Sequence, residues 1–517
     1  MTSFYEELHK SKKYSDEKEN AQSRVNIDKW IFRLFLFLIG FMPLVVMGNT
    51  EEIISPLISN IDILSSGTKG DLFTYYKALI VLIITTITGI LILVKVLLMD
   101  GIIRKTYLNY VLGIFVFVIV VSTIMSPNIS IALNGQYNRS DGAISWLCYV
   151  ALMFIAMNID YPKNVVKYIM YAMMPFVFIN LYIITRNFNG KDLLQNSWIQ
   201  NIVSIMLPEG ANISEGSQLL GTLNQWNYMS GMFAMMTVMY LAWAITAKKW
   251  YENMAGAIMA SASIAVMFMS ISTSGFLTVA LLLIVILIAI LFTEKKGQAI
   301  AALAMFLVIS APVFHVLAEK DIRVWNESFG FFTDKNPYLD KFTAFNKSSN
   351  VAYASENAFD LPVLPERATA AGSGRVYIWE KTLDLVKKRP LLGYGSDSLV
   401  YNFPHYSIDS RAGMWDENII TDKPHNEFIG ILYGFGIIGL VALIVLFVTV
   451  GLKTFESLFR KRWTNFIIAI TALAYFSQSV FNDSLPATSA YAFIFIGILI
   501  ALAHTDNKEN TANGRNN

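Results

Sequence analysis

Apolar runs long enough to cross a bilayer recur along most of this 517-residue chain, separated by short polar breaks. A hydrocarbon core of about 30 Å takes roughly 20 apolar residues in helical form. Window hydropathy and charge-free length predict about twelve such helices. They lie near 30–47, 73–95, 108–125, 143–159, 166–185, 227–247, 254–272, 275–292, 298–318, 427–450, 463–481 and 487–503. The expected fold class is therefore an all-α polytopic membrane protein. The first 29 residues are highly charged and have no apolar core, so they do not read as a signal peptide, and Trp30 to Met47 reads as the first anchor.

Basic residues then set a direction. They collect in the N-terminal tail and in every second loop, as Lys95, Arg104 and Lys105; Lys163 and Lys167; Lys248 and Lys249; Lys295 and Lys296; and Lys453, Arg460, Lys461 and Arg462. The intervening short loops are poor in them, with Lys69, Arg139 and Lys191 as scattered exceptions. By the positive-inside rule both termini are expected in the cytoplasm. The implied organisation is a cytoplasmic tail at 1–29, nine spans over 30–318, one large extracytoplasmic loop at 319–426, three spans over 427–503 and a second tail at 504–517. The segments 48–72 and 186–226 fall outside as well.

Composition sharpens the picture in three ways. Hydrophobic residues make up 55% of the chain and charged residues 15%, against roughly a quarter charged in soluble proteins. A net charge of +2 gives no reason to expect a nucleic-acid partner. The single cysteine, Cys148, excludes an intramolecular disulfide framework. The spans themselves contain almost no Asp, Glu, Lys or Arg, whereas ion-coupled transport and proton relays need ionisable groups at membrane depth. The bundle reads as a scaffold with a lipid-facing groove, which also argues against a flippase or exporter.

Chemistry is expected in the large loop. From Gly374 to Pro390, Val376, Trp379, Leu383 and Val386 recur at helical spacing, predicting an amphipathic helix at the membrane surface. Lys387, Lys388 and Arg389 suit its C-terminal end. Arg375 stands at the opposite end, where a cation opposes the helix dipole. Its two readings are a solvated side chain or an anion site in which guanidinium and free N–H groups converge on a phosphate. Further on, Thr421-Asp-Lys-Pro-His425-Asn-Glu427 runs into the tenth span. Pro424 predicts that His425 occupies the first helical turn, where the dipole keeps the imidazole neutral and able to accept a proton. His405, Asp409, Asp416, Glu417, Asp422 and His425 fall close together, but without zinc-type or EF-hand spacing, so no metal is expected.

Several of these residues together resemble the O-antigen ligase and polymerase superfamily. They are Gly374-Arg375-Val-Tyr-Ile-Trp379, Pro390-Leu-Leu-Gly393-Tyr-Gly395, and His425-Asn426 followed after nine residues by Gly436-Ile-Ile-Gly439. Upstream, Gly135-Gln-Tyr-Asn-Arg139-Ser-Asp-Gly142 is similar to the family's first arginine segment. Gly221-Thr-Leu-Asn224-Gln-Trp-Asn227-Tyr is similar to its Gly-Thr-x-x-Asn-Pro-Asn-Tyr segment, with Trp226 in place of the proline. The turn Ser272-Thr-Ser-Gly275 departs from the pattern by lacking an arginine.

The resemblance implies a GT-C-like enzyme of the plasma (inner) membrane that moves a polyprenyl-pyrophosphate-linked glycan onto a glycan, lipid or protein acceptor. It implies no metal and no other cofactor. In this reading His425 is the base, and Arg375 and Arg139 meet the pyrophosphate, since arginine answers phosphate charge bidentately. Asn426, Trp379, Asn224, Asn227 and Arg411 are the candidate substrate contacts. Direct displacement would invert the anomeric centre. A polymerase joining lipid-linked repeats is preferred to a ligase handling finished chains, because polymerases occur whatever the envelope type.

Overall fold

A computed structural model describes residues 2–53, 66–208, 220–223, 225–333, 335–339, 375–405 and 420–513, with side chains from 16 to 506. Asn224, Arg411, Gly372–Gly374, Asp409, Asp416 and Glu417 lie outside those residues.

Each of the twelve expected segments is helical. In chain order the helices are α1 (Thr2–Phe41), α2 (Tyr75–Leu98), α3 (Tyr107–Ile124), α4 (Ile129–Asn134), α5 (Ala143–Met157), α6 (Val165–Phe188) and α7 (Ser197–Val203). Then come α8 (Trp226–Thr246), α9 (Trp250–Met269), α10 (Thr273–Phe292), α11 (Lys296–Lys320), α12 (Ile322–Asn326), α13 (Arg375–Lys388) and α14 (Leu399–Asn402). The last three are α15 (Glu427–Phe459), α16 (Trp463–Ser479) and α17 (Pro486–Asn513). Among the described residues nine helices are long and apolar enough to cross a membrane: α2, α3, α6, α8 to α11, α15, and α17 over 486–506. Of the other expected spans, α5 has 15 residues and α16 has 17, while α1 runs on into charged sequence.

Helix α1 runs through the charged N-terminal residues, because nothing between Thr2 and Lys29 is glycine or proline and the helix has no reason to stop. Two expectations need correction. The segment 48–72 contains strands β1 (Asn49–Ile53) and β2 (Gly67–Asp71), an antiparallel pair that the apolar periodicity did not signal. Two lysines inside the second span are buried, both at its ends. Lys77 Nζ donates to Phe73 O and Thr222 O at 2.6 Å each, and Lys95 Nζ lies 2.6 Å from Asp28.

The core is packed around α8, α16 and α17, whose side chains are buried almost throughout, as an all-round apolar helix requires. The outer helices α2, α3, α10 and α11 keep broad apolar faces exposed, as lipid-facing helices do. α15 is broken where it matters most. Gly436 has φ 68° and ψ −170°, a conformation essentially restricted to glycine. The chain from 390 to 395 lies against the break and shares its backbone bonds. Tyr394 N donates to Tyr433 O and Gly395 N to Gly434 O, both at 2.9 Å, and Ile437 N donates to Pro390 O at 2.8 Å. That close approach accounts for the glycines of the two motifs. A Cβ on Gly436 would meet Leu391 O at 2.2 Å, and one on Gly393 would meet Tyr433 O at 2.3 Å.

Candidate active site

The segment 422–426 arrives at the head of α15 tied down residue by residue from four different parts of the chain. Asp422 is ion-paired with Arg139, from the turn before α5. Lys423 Nζ lies 3.6 Å from Asp397 and 3.7 Å from Asp141, and donates to Ser484 O at 3.3 Å. Pro424 O accepts from Trp379 Nε1 at 2.7 Å, which locks the α13 helix to the segment. His425 Nδ1 lies 2.9 Å from Asp483 Oδ2. Asn426 caps α15, its side-chain oxygen accepting from Ile429 N at 3.1 Å.

This differs from the sequence reading of His425 in a physical respect. The helix starts at Glu427 with Asn426 as its cap, so His425 precedes the first turn, with φ 51° in the left-handed region. Its imidazole faces the carboxylate of Asp483. That carboxylate is buried, which alone would push it up. The contact with His425 and the charges of Lys423 and Arg139 outweigh burial and hold it down at about 2. Asp483 is thus ionised at neutral pH and faces Nδ1, favouring the tautomer with Nδ1–H and a free Nε2 lone pair. The pair is a close charge contact rather than an aligned hydrogen bond.

Behind the imidazole, Asp141, Asp397, Asp422 and Asp483 surround Arg139 and Lys423 in a mostly buried network. Four carboxylates around two fixed cations leave an acidic excess. Burial accordingly raises Asp141 to about 6, against the lowering by Lys423, with the charge of Asp397 adding to the rise. Tyr149 OH donates to Asp141 at 3.0 Å and Ser484 Oγ donates to its other oxygen. The network lines a cavity of about 390 Å³, open mouth included, whose other wall is apolar Trp146, Leu399, Ile431 and Tyr433.

The two arginines are in opposite situations. Arg139 is 4% exposed and held by Asp422 and, at 3.7 Å, Asp397. Arg375 opens α13 half-buried, with no ion pair or hydrogen bond among the described residues. Burial pulls its guanidinium below the usual value, opposed by the negative charges of Asp483 and Glu327, so it stands within electrostatic reach of the His425–Asp483 pair. α13 itself is rotated from expectation. Its buried face is Tyr377, Ile378, Thr382 and Val386, while Val376 and Leu383 are exposed. The helix packs against the tyrosines of a neighbouring loop and of α15, and the stacked Tyr394–Tyr433 pair, 5.1 Å apart, supplies that surface.

Asn227 also reaches this end of the bundle. Its side chain accepts from Ser272 Oγ at 2.8 Å and its carbonyl accepts from Asn482 Nδ2 at 3.3 Å, one residue before Asp483. His405 turns away, its Nε2 2.9 Å from Val400 O. Sequence reasoning missed Asp483, Asp397, Asp141 and Lys423. The only signal for Asp483 was a polar Asn-Asp-Ser island between two apolar spans. Residues 257–444 match the family described as O-antigen ligase, and no curated protein matches the chain.

Proposed function

We propose, from the match of residues 257–444 to the O-antigen ligase family, that this chain is a member of the O-antigen ligase and polymerase superfamily and transfers a glycan from a polyprenyl pyrophosphate donor to an acceptor hydroxyl on the outer face of the plasma membrane. His425 removes the acceptor proton through Nε2, and Asp483 holds its ring and answers the imidazolium as it forms. Arg375 receives the pyrophosphate, being the site cation with no ion pair or hydrogen bond among the described residues; one charge-assisted contact of this kind is worth about 1.5–3 kcal/mol. Arg139 contributes by fixing Asp422 and so the segment carrying His425. Trp379 positions α13 through Pro424, and Asn426 and Asn227 shape the acceptor side, with Asn224 and Arg411 as further contacts. The leaving pyrophosphate and the incoming hydroxyl occupy opposite faces of the sugar, so the displacement inverts the anomeric centre. Both termini are cytoplasmic in this arrangement, the 319–426 loop is extracytoplasmic, and the chain needs no metal.

The observation that carries the reading is His425 backed by ionised Asp483, with the guanidinium of Arg375, unpaired among the described residues, within electrostatic reach of that carboxylate. Reconstitution with a defined polyprenyl-pyrophosphate oligosaccharide tests it. His425→Ala should abolish transfer while the protein still binds donor, and an active variant would remove the base. We favour polymerisation of lipid-linked repeats over ligation of finished chains. In a deletion strain, single repeats left on the carrier indicate a polymerase, and full-length chains stranded there indicate a ligase.

A further inference from the structure

A second cleft, of about 1000 Å³ with its open mouth included, opens between α1 and the start of α6 at the far end of the bundle. α5 begins two residues after Asp141 and ends at Met157, beside the cleft's Asp160, so this cleft lies about 22 Å from the His425 network along the helix axis. It is unrelated to that site. Its charges do not balance. Asp28 is neutralised by Lys95 at 2.6 Å and Asp160 by Arg104, which leaves the lining cations Lys29 and Arg33, one helical turn apart, without an acidic partner among the described residues. Both are exposed, and Arg33 lies over the ring of Trp30 at 4.8 Å, an arrangement that orients the guanidinium and leaves its N–H donors open.

Below these cations the cleft is apolar and aromatic. Phe32 packs edge-on against Tyr161 at 5.5 Å and against Tyr168 at 6.2 Å, and Leu36 continues the same face one turn deeper. Two free cations above an aromatic, lipid-facing floor match a molecule with an anionic head and a hydrocarbon body. A soluble anion would leave the floor empty, and a neutral lipid would leave the cations unanswered. Basic pockets between membrane helices recognise anionic headgroups by this division of labour. We propose that the cleft is a binding site for an anionic phospholipid of the leaflet that faces the basic loops, with Lys29 and Arg33 holding the phosphate.

The test uses the full-length protein, purified in mild detergent and titrated with phosphatidylglycerol under native mass spectrometry. The Lys29→Gln/Arg33→Gln variant should bind the lipid roughly 30-fold more weakly than the wild type, the loss expected from two headgroup contacts. Lys105→Gln/Lys163→Gln, which removes two exposed cations outside the cleft, should bind as the wild type does. Equal binding by the cleft variant, or an equal loss in the control pair, would overturn the assignment, and so would displacement of the lipid by millimolar inorganic phosphate. A measurement without mutation gives the same decision. Wild-type protein in phosphatidylglycerol nanodiscs should melt higher than in phosphatidylcholine nanodiscs, and identical melting would sink the proposal.

Discussion

Replacing Asp483 by asparagine keeps the size of the side chain that faces His425 and removes its charge. The magnitude follows from how far the surrounding cations depress this carboxylate. Moving it from 3.8 to about 2 despite full burial corresponds to a net favourable interaction of about 2.5 kcal/mol. His425 is the largest favourable contributor to that figure. Lys423 and Arg139 share in that figure, and the part that falls to the charge developing on the imidazole bears on the rate at about tenfold per 1.4 kcal/mol. Loss of control over the tautomer adds to this, within the 10²–10⁴-fold range of general-base help. Single-turnover transfer in proteoliposomes containing a defined polyprenyl-pyrophosphate donor should therefore slow by about 10²-fold or more, with donor KM changed by less than about threefold. The double variant with His425→Ala should be no slower than His425→Ala alone, because the two side chains act as one unit. A folded Asp483→Asn protein working within threefold of wild type would refute the dyad, and so would multiplicative losses in the double variant.

Arg375→Ala should weaken donor binding by roughly 10- to 100-fold, read as KM for the pyrophosphate donor, and unchanged KM would take the pyrophosphate away from this arginine. Asp141, raised from 3.8 to about 6, binds its proton more tightly folded than unfolded, so its contribution to stability is present below about pH 4 and lost as pH rises through 6. Asp141→Asn should therefore gain on the wild type in stability between pH 4 and 7, by up to about 3 kcal/mol, read as a rising difference in apparent melting temperature; a constant difference across that range would contradict the assignment. Gly436→Ala should cost at least about 3 kcal/mol, since alanine can neither adopt φ 68° with ψ −170° nor avoid Leu391 O; wild-type melting in the variant would show that the break is not held as described.

The helices were legible because burying or immersing apolar residues leaves a one-dimensional record, and each expected span has its helix. The His425–Asn426 and Arg375–Trp379 segments were legible through motif spacing. What escaped were pairings between distant charges. Asp483 stands 58 positions beyond His425, and no periodicity links a carboxylate in one turn to an imidazole in another. The rotation of α13 escaped for a related reason. Val376 and Leu383 have the better hydropathy, but Tyr377 and Thr382 face the tyrosine-rich surface that happens to lie beside the helix. The β1–β2 hairpin is short and rich in charge and glycine, so only its cross-strand hydrogen bonds reveal it.

The interrupted helix α15 has a mechanical consequence. Its orphaned carbonyls at Tyr433 and Gly434 are satisfied by N–H groups of Tyr394 and Gly395, and Ile437 N is satisfied by Pro390. Peeling the 390–395 segment away would strand Tyr433 O and Ile437 N in apolar surroundings at a cost of several kcal/mol, while Gly434 O would keep Ser122 Oγ as its donor. That segment is therefore riveted to α15 at one edge. Any movement of α13 must swing about that seam and carry with it the histidine segment that Trp379 holds through Pro424.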